Sequence, residues 1–179
     1  MIIKSLSRKG GFGQLADYFC KSENSKGDFF LWNLKINKEE KNFIIREFLQ
    51  NSEQVKARKN GILLYHEILS LNGEDKDNIT PEILLDLAEK YIKLRARDAL
   101  VYAKVHFDSN NPHVHLMISA NEKKSSKKIR LSRAGFGRIK KRLEEYQRKK
   151  YPALMHSEVD HGFEKTRIEK KPGENELLK

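Results

Sequence analysis

Apolar and polar positions along this chain follow two different periods, and the switches between them outline its elements. Ile2 to Leu6 predicts a short first strand, and Ser7 to Gly13, with three glycines in seven residues, a turn or flexible loop. Gln14 to Cys20 has the spacing of a short helix, with Leu15, Tyr18 and Phe19 as its larger members, and a polar loop follows to Gly27. Phe29 to Leu34 predicts a strand, and Lys38 to Lys59 a long helix with Phe43, Ile44 and Phe48 on one side. Gly61 to Leu71 is rich in β-favouring residues, and a polar loop runs from Asn72 to Asn78. Thr80-Pro81-Glu82 is a helix start, with a capping hydroxyl, a first-turn proline and an acid. Ile83, Leu84, Leu87, Tyr91 and Leu94 carry that helix to about Arg97.

Ala99 to Phe107 and His113 to Ala120 alternate strictly, and the turn-forming stretch between them predicts a hairpin. A charged loop, Glu122 to Lys128, leads to a helix over Ala134 to Lys150 that ends before Pro152. Interspersed helices and strands with a hairpin predict an α+β fold, a central antiparallel sheet with helices packed on one face in two layers. The domain is expected to span residues 1–163, with 164–179 a polar tail or the start of a linker to a further C-terminal region.

Composition narrows the class. The 179 residues suit one domain, and 38% apolar content is enough for one core. No apolar run approaches the ~20 residues needed to span a bilayer, so no membrane insertion is expected. A single cysteine, Cys20, excludes a disulfide framework and a cysteine zinc cage. The net charge of +11 is concentrated: residues 121–150 hold 13 lysines and arginines against three glutamates. Such a segment is either a solvated helix face or a footprint for a polyanion. Its narrow apolar stripe, Phe136, Ile139, Leu143 and Tyr146, argues against a membrane-surface helix.

Three of the six histidines fall within ten residues. Alternation puts Val101, Ala103, Val105 and Phe107 on one face, with Val114, Leu116, Ile118 and Ala120 of the next strand. His106, His113 and His115 then share the other face near the loop. They are three exposed polar residues by a turn, or three convergent imidazoles that hold a divalent cation with positions open for substrate. Asp108 and Asn110 are either partners that orient the rings or turn formers.

The stretch from His106 through His113-Val114-His115 resembles the third motif of conjugative and mobilisation relaxases, endonucleases named for a histidine–hydrophobic–histidine pair. Gly11 to Tyr18 resembles the family's first motif, which ends in the nucleophilic tyrosine. His66 to Leu71 resembles the second, a strand ending in a DNA-contacting serine. Leu71 departs from the phenylalanine of many relatives.

The resemblance implies the following. One DNA strand is nicked at a transfer origin through a 5′-phosphotyrosyl intermediate and rejoined, for plasmid or mobile-element transfer. Tyr18, otherwise a core aromatic beside Phe19, is the nucleophile, and a tyrosine hydroxyl needs a base or a nearby positive charge. His106, His113 and His115 hold one divalent ion, Mn or Mg, with Zn or Ni possible in a crystal. Glu67 is an acid–base or orienting group, the latter by bonding a ligand imidazole, or else an exposed strand carboxylate. By alternation His66 lies on the opposite face from Glu67, as a structural residue or at a helix contact. Ser70 contacts DNA. Arg8 and Lys9 beside the nucleophile loop, with Lys123, Lys124, Lys127, Lys128, Arg130 and Arg133, contact phosphates of single-stranded or extruded transfer-origin DNA.

Accessory relaxosome proteins and a secretion-system coupling protein are the further partners implied. The setting is the bacterial cytoplasm, with translocation alongside the DNA. The rival readings are a rolling-circle replication initiator or single-strand transposase, which usually place the tyrosine after the histidine pair, and a non-catalytic metal-containing nucleic-acid-binding module.

Overall fold

The structure is a computed structural model and describes residues 1–20, 28–56, 58–107 and 109–161. The polar loop expected at 21–27, Asp108 and the tail expected at 164–179 lie outside the described residues. The described elements are β1 (Ile2–Arg8), α1 (Phe12–Cys20), β2 (Phe29–Trp32), α2 (Lys41–Ser52), β3 (Leu64–Ser70), α3 (Pro81–Arg95), β4 (Ala99–His106), β5 (His113–Glu122) and α4 (Arg133–Lys150). One short 3-10 helix, Gly73–Asn78, stands where a plain loop was expected, and the Asn72 side chain accepts from the Glu74 N–H at its start. The strands form one sheet in the order β1-β3-β5-β4-β2, with every neighbouring pair antiparallel.

Strand alternation sorts the apolar residues to two faces. Tyr65, Leu69, Val101, Ala103, Val105, Val114, Leu116 and Ile118 pack with Leu84, Leu87, Tyr91 and Ile92 of α3 and Ile139 and Leu143 of α4. The second face is not solvated. Leu64, Leu100, Tyr102 and Met117 pack there against Phe12, Leu15 and Phe19 of α1 and Ile44 and Phe48 of α2. The antiparallel α+β sheet is as expected, but helices cover both faces instead of one. The apolar side chains interspersed with the polar ones on the second face need their own cover.

Helix ends follow local chemistry. The Thr80 hydroxyl caps α3 through the Ile83 N–H, and Ser132 caps α4 through the Gly135 N–H. Helix α2 ends at Ser52, seven residues short of the expected Lys59. Its apolar stripe stops at Phe48, and the residues beyond Ser52 have no packing face to extend the helix.

A buried ion pair lies between the sheet and α3. Arg95 Nε is 3.2 Å from Glu67 Oε1, and both side chains are almost fully buried. Tyr91 donates to Glu67 Oε2 and Ser5 to Oε1, each at 2.7 Å. Arg95 Nη1 reaches the Ile129 carbonyl at 2.9 Å, and its guanidinium lies over the Tyr65 ring. Removing one member of such a pair leaves the other charge buried and uncompensated. Arg95→Met is therefore expected to destabilise the fold by roughly 3–5 kcal/mol in urea unfolding. Adding Glu67→Gln, whose amide oxygen accepts from Tyr91 and whose amide N–H donates to the Ser5 hydroxyl, should recover more than half of the loss. A single-substitution cost near zero would show that the pair contributes little.

Candidate active site

The β4–β5 hairpin builds the histidine cluster. Its register pairs His106 with His113 and Lys104 with His115. The three rings share one face, and one ring nitrogen from each lies within 4.8 Å of the others. His113 Nε2 and His115 Nε2 are 3.1 Å apart, and the His106 ring stands 4.9 Å from that of His115. The rings of His106 and His115 are buried, and that of His113 is half-buried. The expected convergence is therefore present.

Protons in the cluster are constrained by its acceptors. His113 Nδ1 lies 3.0 Å from the Asn111 carbonyl oxygen, which can only accept. In the neutral ring Nδ1 thus carries the proton and Nε2 keeps its lone pair. Burial pushes His115 down to about 3, and the neighbouring rings of His113, His106 and His66 add to the shift. His66 is lowered to about 4, by burial first and by the charge of Arg8 second. Both rings are neutral at pH 7, as metal ligation requires.

The donor set fits a divalent cation. Two imidazole nitrogens bonded to one ion at about 2.0–2.1 Å stand roughly 3.0–3.4 Å apart. The 3.1 Å between His113 Nε2 and His115 Nε2 matches that spacing. His106, His113 and His115 are the residues that would hold the ion.

Helix α1 brings the tyrosine to the cluster. Gly11 has φ of +81°, which a side chain rarely adopts, and its carbonyl accepts from the Leu15 N–H in the first turn. Phe12, Leu15, Ala16 and Phe19 are buried, and Phe19 stacks on His115 with 5.3 Å between ring centroids. Tyr18 is 52% exposed, so it is not a core aromatic beside Phe19. Its ring meets that of His115 edge-on at 5.1 Å and that of His66 at 5.9 Å.

The expected role of Glu67 requires a correction. The β3–β5 register pairs Glu67 with Leu116 and His66 with Met117. Glu67 therefore faces α3, on the opposite side of the sheet from the histidines, where Ser5, Tyr91 and Arg95 hold its carboxylate. His66, expected on the far side, joins the cluster: its Nε2 is 3.0 Å from His115 Nδ1. One signal in the sequence pointed that way, since Ser70 shares parity with His66 and not with Glu67. Ser70 pairs with His113, so the strand ends beside the cluster.

The basic residues separate into groups. Lys123 and Lys124 lie beyond β5 near Asn51 of α2, and Lys127 is paired with Glu122 at 2.6 Å. Lys128, Arg130, Lys56 and Arg58 line a groove of about 560 Å³. Lys128 donates to the Ile62 carbonyl at 2.9 Å, and burial and the charge of Arg58 lower its pKa. Arg133 borders an adjoining cavity of about 350 Å³ that shares Ile62, Tyr65 and Arg130 with the groove. Lys9 donates to Asn60, another groove residue, at 3.0 Å. Among the described residues no helix is long and apolar enough to cross a membrane.

The shifted histidines give a pH dependence. Unfolded imidazoles take up protons near pH 6.5, whereas folded His66 and His115 do so only at about 4 and about 3. Below about 6.5 the unfolded chain binds more protons, so stability falls with pH. With chelator present, the melting temperature should drop between about pH 7 and 5, less steeply in His66→Gln. A flat profile over that window would contradict the shifts.

Known structures share this fold. A structure from work on the molecular basis of vancomycin resistance transfer in Staphylococcus aureus matches with TM-score 0.61 and 16% identity, covering 88% of this chain and 96% of that one. The MobM relaxase domain bound to a 26-nucleotide pMV158 oriT DNA matches with TM-score 0.58 and 19% identity over 97% of each chain. A Mn-bound crystal structure of the same domain with 22-nucleotide oriT DNA, at pH 5.5, matches with TM-score 0.55 and 18% identity, covering 83% of this chain and 86% of that one. These likenesses show a shared fold. No curated protein sequence matches the chain. The family of MobA/VirD2-like relaxases, nuclease domain, matches residues 18–151, which takes in the histidine cluster, β3 and the tyrosine of α1. The chain belongs to the MobA/VirD2-like relaxase family and carries its nuclease domain.

Proposed function

We propose that this relaxase domain binds transfer-origin DNA and nicks one strand with Tyr18, leaving the 5′-phosphate on the tyrosine and a free 3′-hydroxyl. The observation that carries the reading is the half-exposed Tyr18 ring set edge-on against His115, 5.1 Å away. It puts a solvent-reachable phenol beside three convergent imidazoles. The bonding balances: the Tyr18 oxygen bonds to phosphorus, the phosphorus–O3′ bond breaks, the phenol proton is lost to water and the 3′-oxygen gains one. Rejoining is the reverse.

A Mn or Mg ion on His106, His113 and His115 would neutralise charge that develops on the non-bridging oxygens. Neutral imidazoles leave that ion its full charge for an anionic phosphate. Phe19, packed on His66, His115 and Tyr102, fixes the turn of α1 that carries Tyr18. Ser70 contacts the strand near the cut in this reading, and its pairing with His113 supports that. Of the two MobM structures above, both hold oriT DNA and the second also holds Mn, which supports the substrate and the ion assigned to this chain. The same reading sets the protein in the bacterial cytoplasm with relaxosome accessory proteins and a coupling protein.

The test is a labelled single-stranded oligonucleotide from the element's own origin, incubated with the protein and Mn²⁺. A covalent adduct is expected and should be absent in Tyr18→Phe. An adduct that persists in Tyr18→Phe assigns the nucleophile elsewhere, and binding with no adduct supports a non-catalytic module.

The groove lined by Lys128, Arg130, Lys56 and Arg58 is the surface we assign to phosphates of the bound strand, with Lys9 and Arg133 at its margins. Among the described residues no carboxylate lines it, and the charge of Arg58 acts on Lys128 within it. Each phosphate contact on a single strand contributes about 0.7 to the slope of log K against log salt. The double substitution Lys128→Ala/Arg130→Ala should reduce that slope by about 1.4. An unchanged slope, read by fluorescence anisotropy over a salt series, would move the contacts elsewhere.

A further inference from the structure

The metal-dependent reading of the triad leaves His66 without a task, although it is 7% exposed and in hydrogen-bond contact with a ligand ring. We infer that His66 is a positioning residue: it accepts the Nδ1 proton of His115 and so holds His115 in the tautomer whose Nε2 is free to ligate. The inference rests on the triad being a metal site.

The geometry makes this tautomer a choice between two. His66 Nε2 and His115 Nδ1 are 3.0 Å apart, and His115 Nε2 faces His113 Nε2 at 3.1 Å. If His115 carries its proton on Nδ1, His66 accepts it and the two Nε2 lone pairs of His113 and His115 converge. If the proton is on His115 Nε2, it points at His113 Nε2 and closes the position a cation would take. His113 has its own fixed acceptor, the Asn111 carbonyl. For His115 that acceptor is the His66 ring.

The His66 ring is itself held in place. It packs against Phe19 at 5.6 Å and Tyr18 at 5.9 Å, and β3–β5 pairing sets its backbone. An imidazole in this role also differs from a carboxylate. It orients the ligand without adding negative charge, so an ion at the triad keeps its attraction for phosphate.

The test uses the full chain and Mn²⁺ alone, with free Mn²⁺ measured by electron paramagnetic resonance. In His66→Gln the side-chain carbonyl accepts from a similar position, so affinity should stay within about threefold of the parent. His66→Leu fills the space without an acceptor and should weaken binding about 10–100-fold. Equal affinities for His66→Leu and the parent overturn the inference, as do equal losses in His66→Leu and His66→Gln, which mark a packing role.

A second measurement needs no variant. Histidine-labelled ¹⁵N NMR of the Mg²⁺-loaded parent should show His115 protonated on Nδ1, and protonation on Nε2 overturns the inference. Failure of the parent to bind Mn²⁺ would sink the metal reading itself, whereas parent binding with an insensitive His66→Leu sinks only the role of His66.

Discussion

The site depends on the parity of three antiparallel strands. Side chains change face at every residue, so a shift of one position in the β3–β5 register would exchange His66 for Glu67. The observed register puts His66, His113 and His115 on one face and Glu67 on the other. The β4–β5 register then adds His106 beside His113. No loop has to fold correctly for the rings to meet. Hydrogen bonds of the sheet ladder fix them, and the helices on either face hold the sheet in place.

Charge is organised in an unusual way around this arrangement. The chain carries a net charge of +11, most of it in one segment, yet the His115 and His66 rings at its centre are neutral. Burial and mutual proximity keep His115 unprotonated, and His66 is subject to burial and to the charge of Arg8. Lys128 and Arg130 border an open groove, and Lys104, buried on the histidine face, is paired with Glu39 at 2.7 Å. Long-range attraction for a polyanion and short-range ligation of a cation are thereby kept apart.

Much of this was legible in the sequence. The alternation from Ala99 to Ala120 placed three histidines on one face, and the capping residue Thr80 lies where α3 begins. The resemblance of Gly11 to Tyr18 to the family's first motif singled out Tyr18, whose local pattern alone reads as a core aromatic beside Phe19. Three things were not legible. The face that carries His106 and Lys104 reads as polar, which hid the layer formed by α1 and α2. Residues 53–59 continue a helical composition, but the described ones among them carry no buried stripe, so the end of α2 depended on packing that a local pattern does not contain. Glu67 has the chemistry expected of an orienting group, and chemistry outweighed parity in its assignment. The geometry gives the opposite weighting.

Arg95 belongs to two parts of the molecule at once. Its guanidinium neutralises a carboxylate in the interior and holds the Ile129 carbonyl, in the middle of the basic segment. The backbone that presents Lys128 and Arg130 is therefore tied to the core on both sides of one residue, by the Ile129 N–H on the Ala120 carbonyl of β5 and by Arg95 on the Ile129 carbonyl. Genetic screens for weakened attachment to polyanions will accordingly return positions deep inside the protein, and such hits report lost anchorage of the cationic strip and not a missing contact.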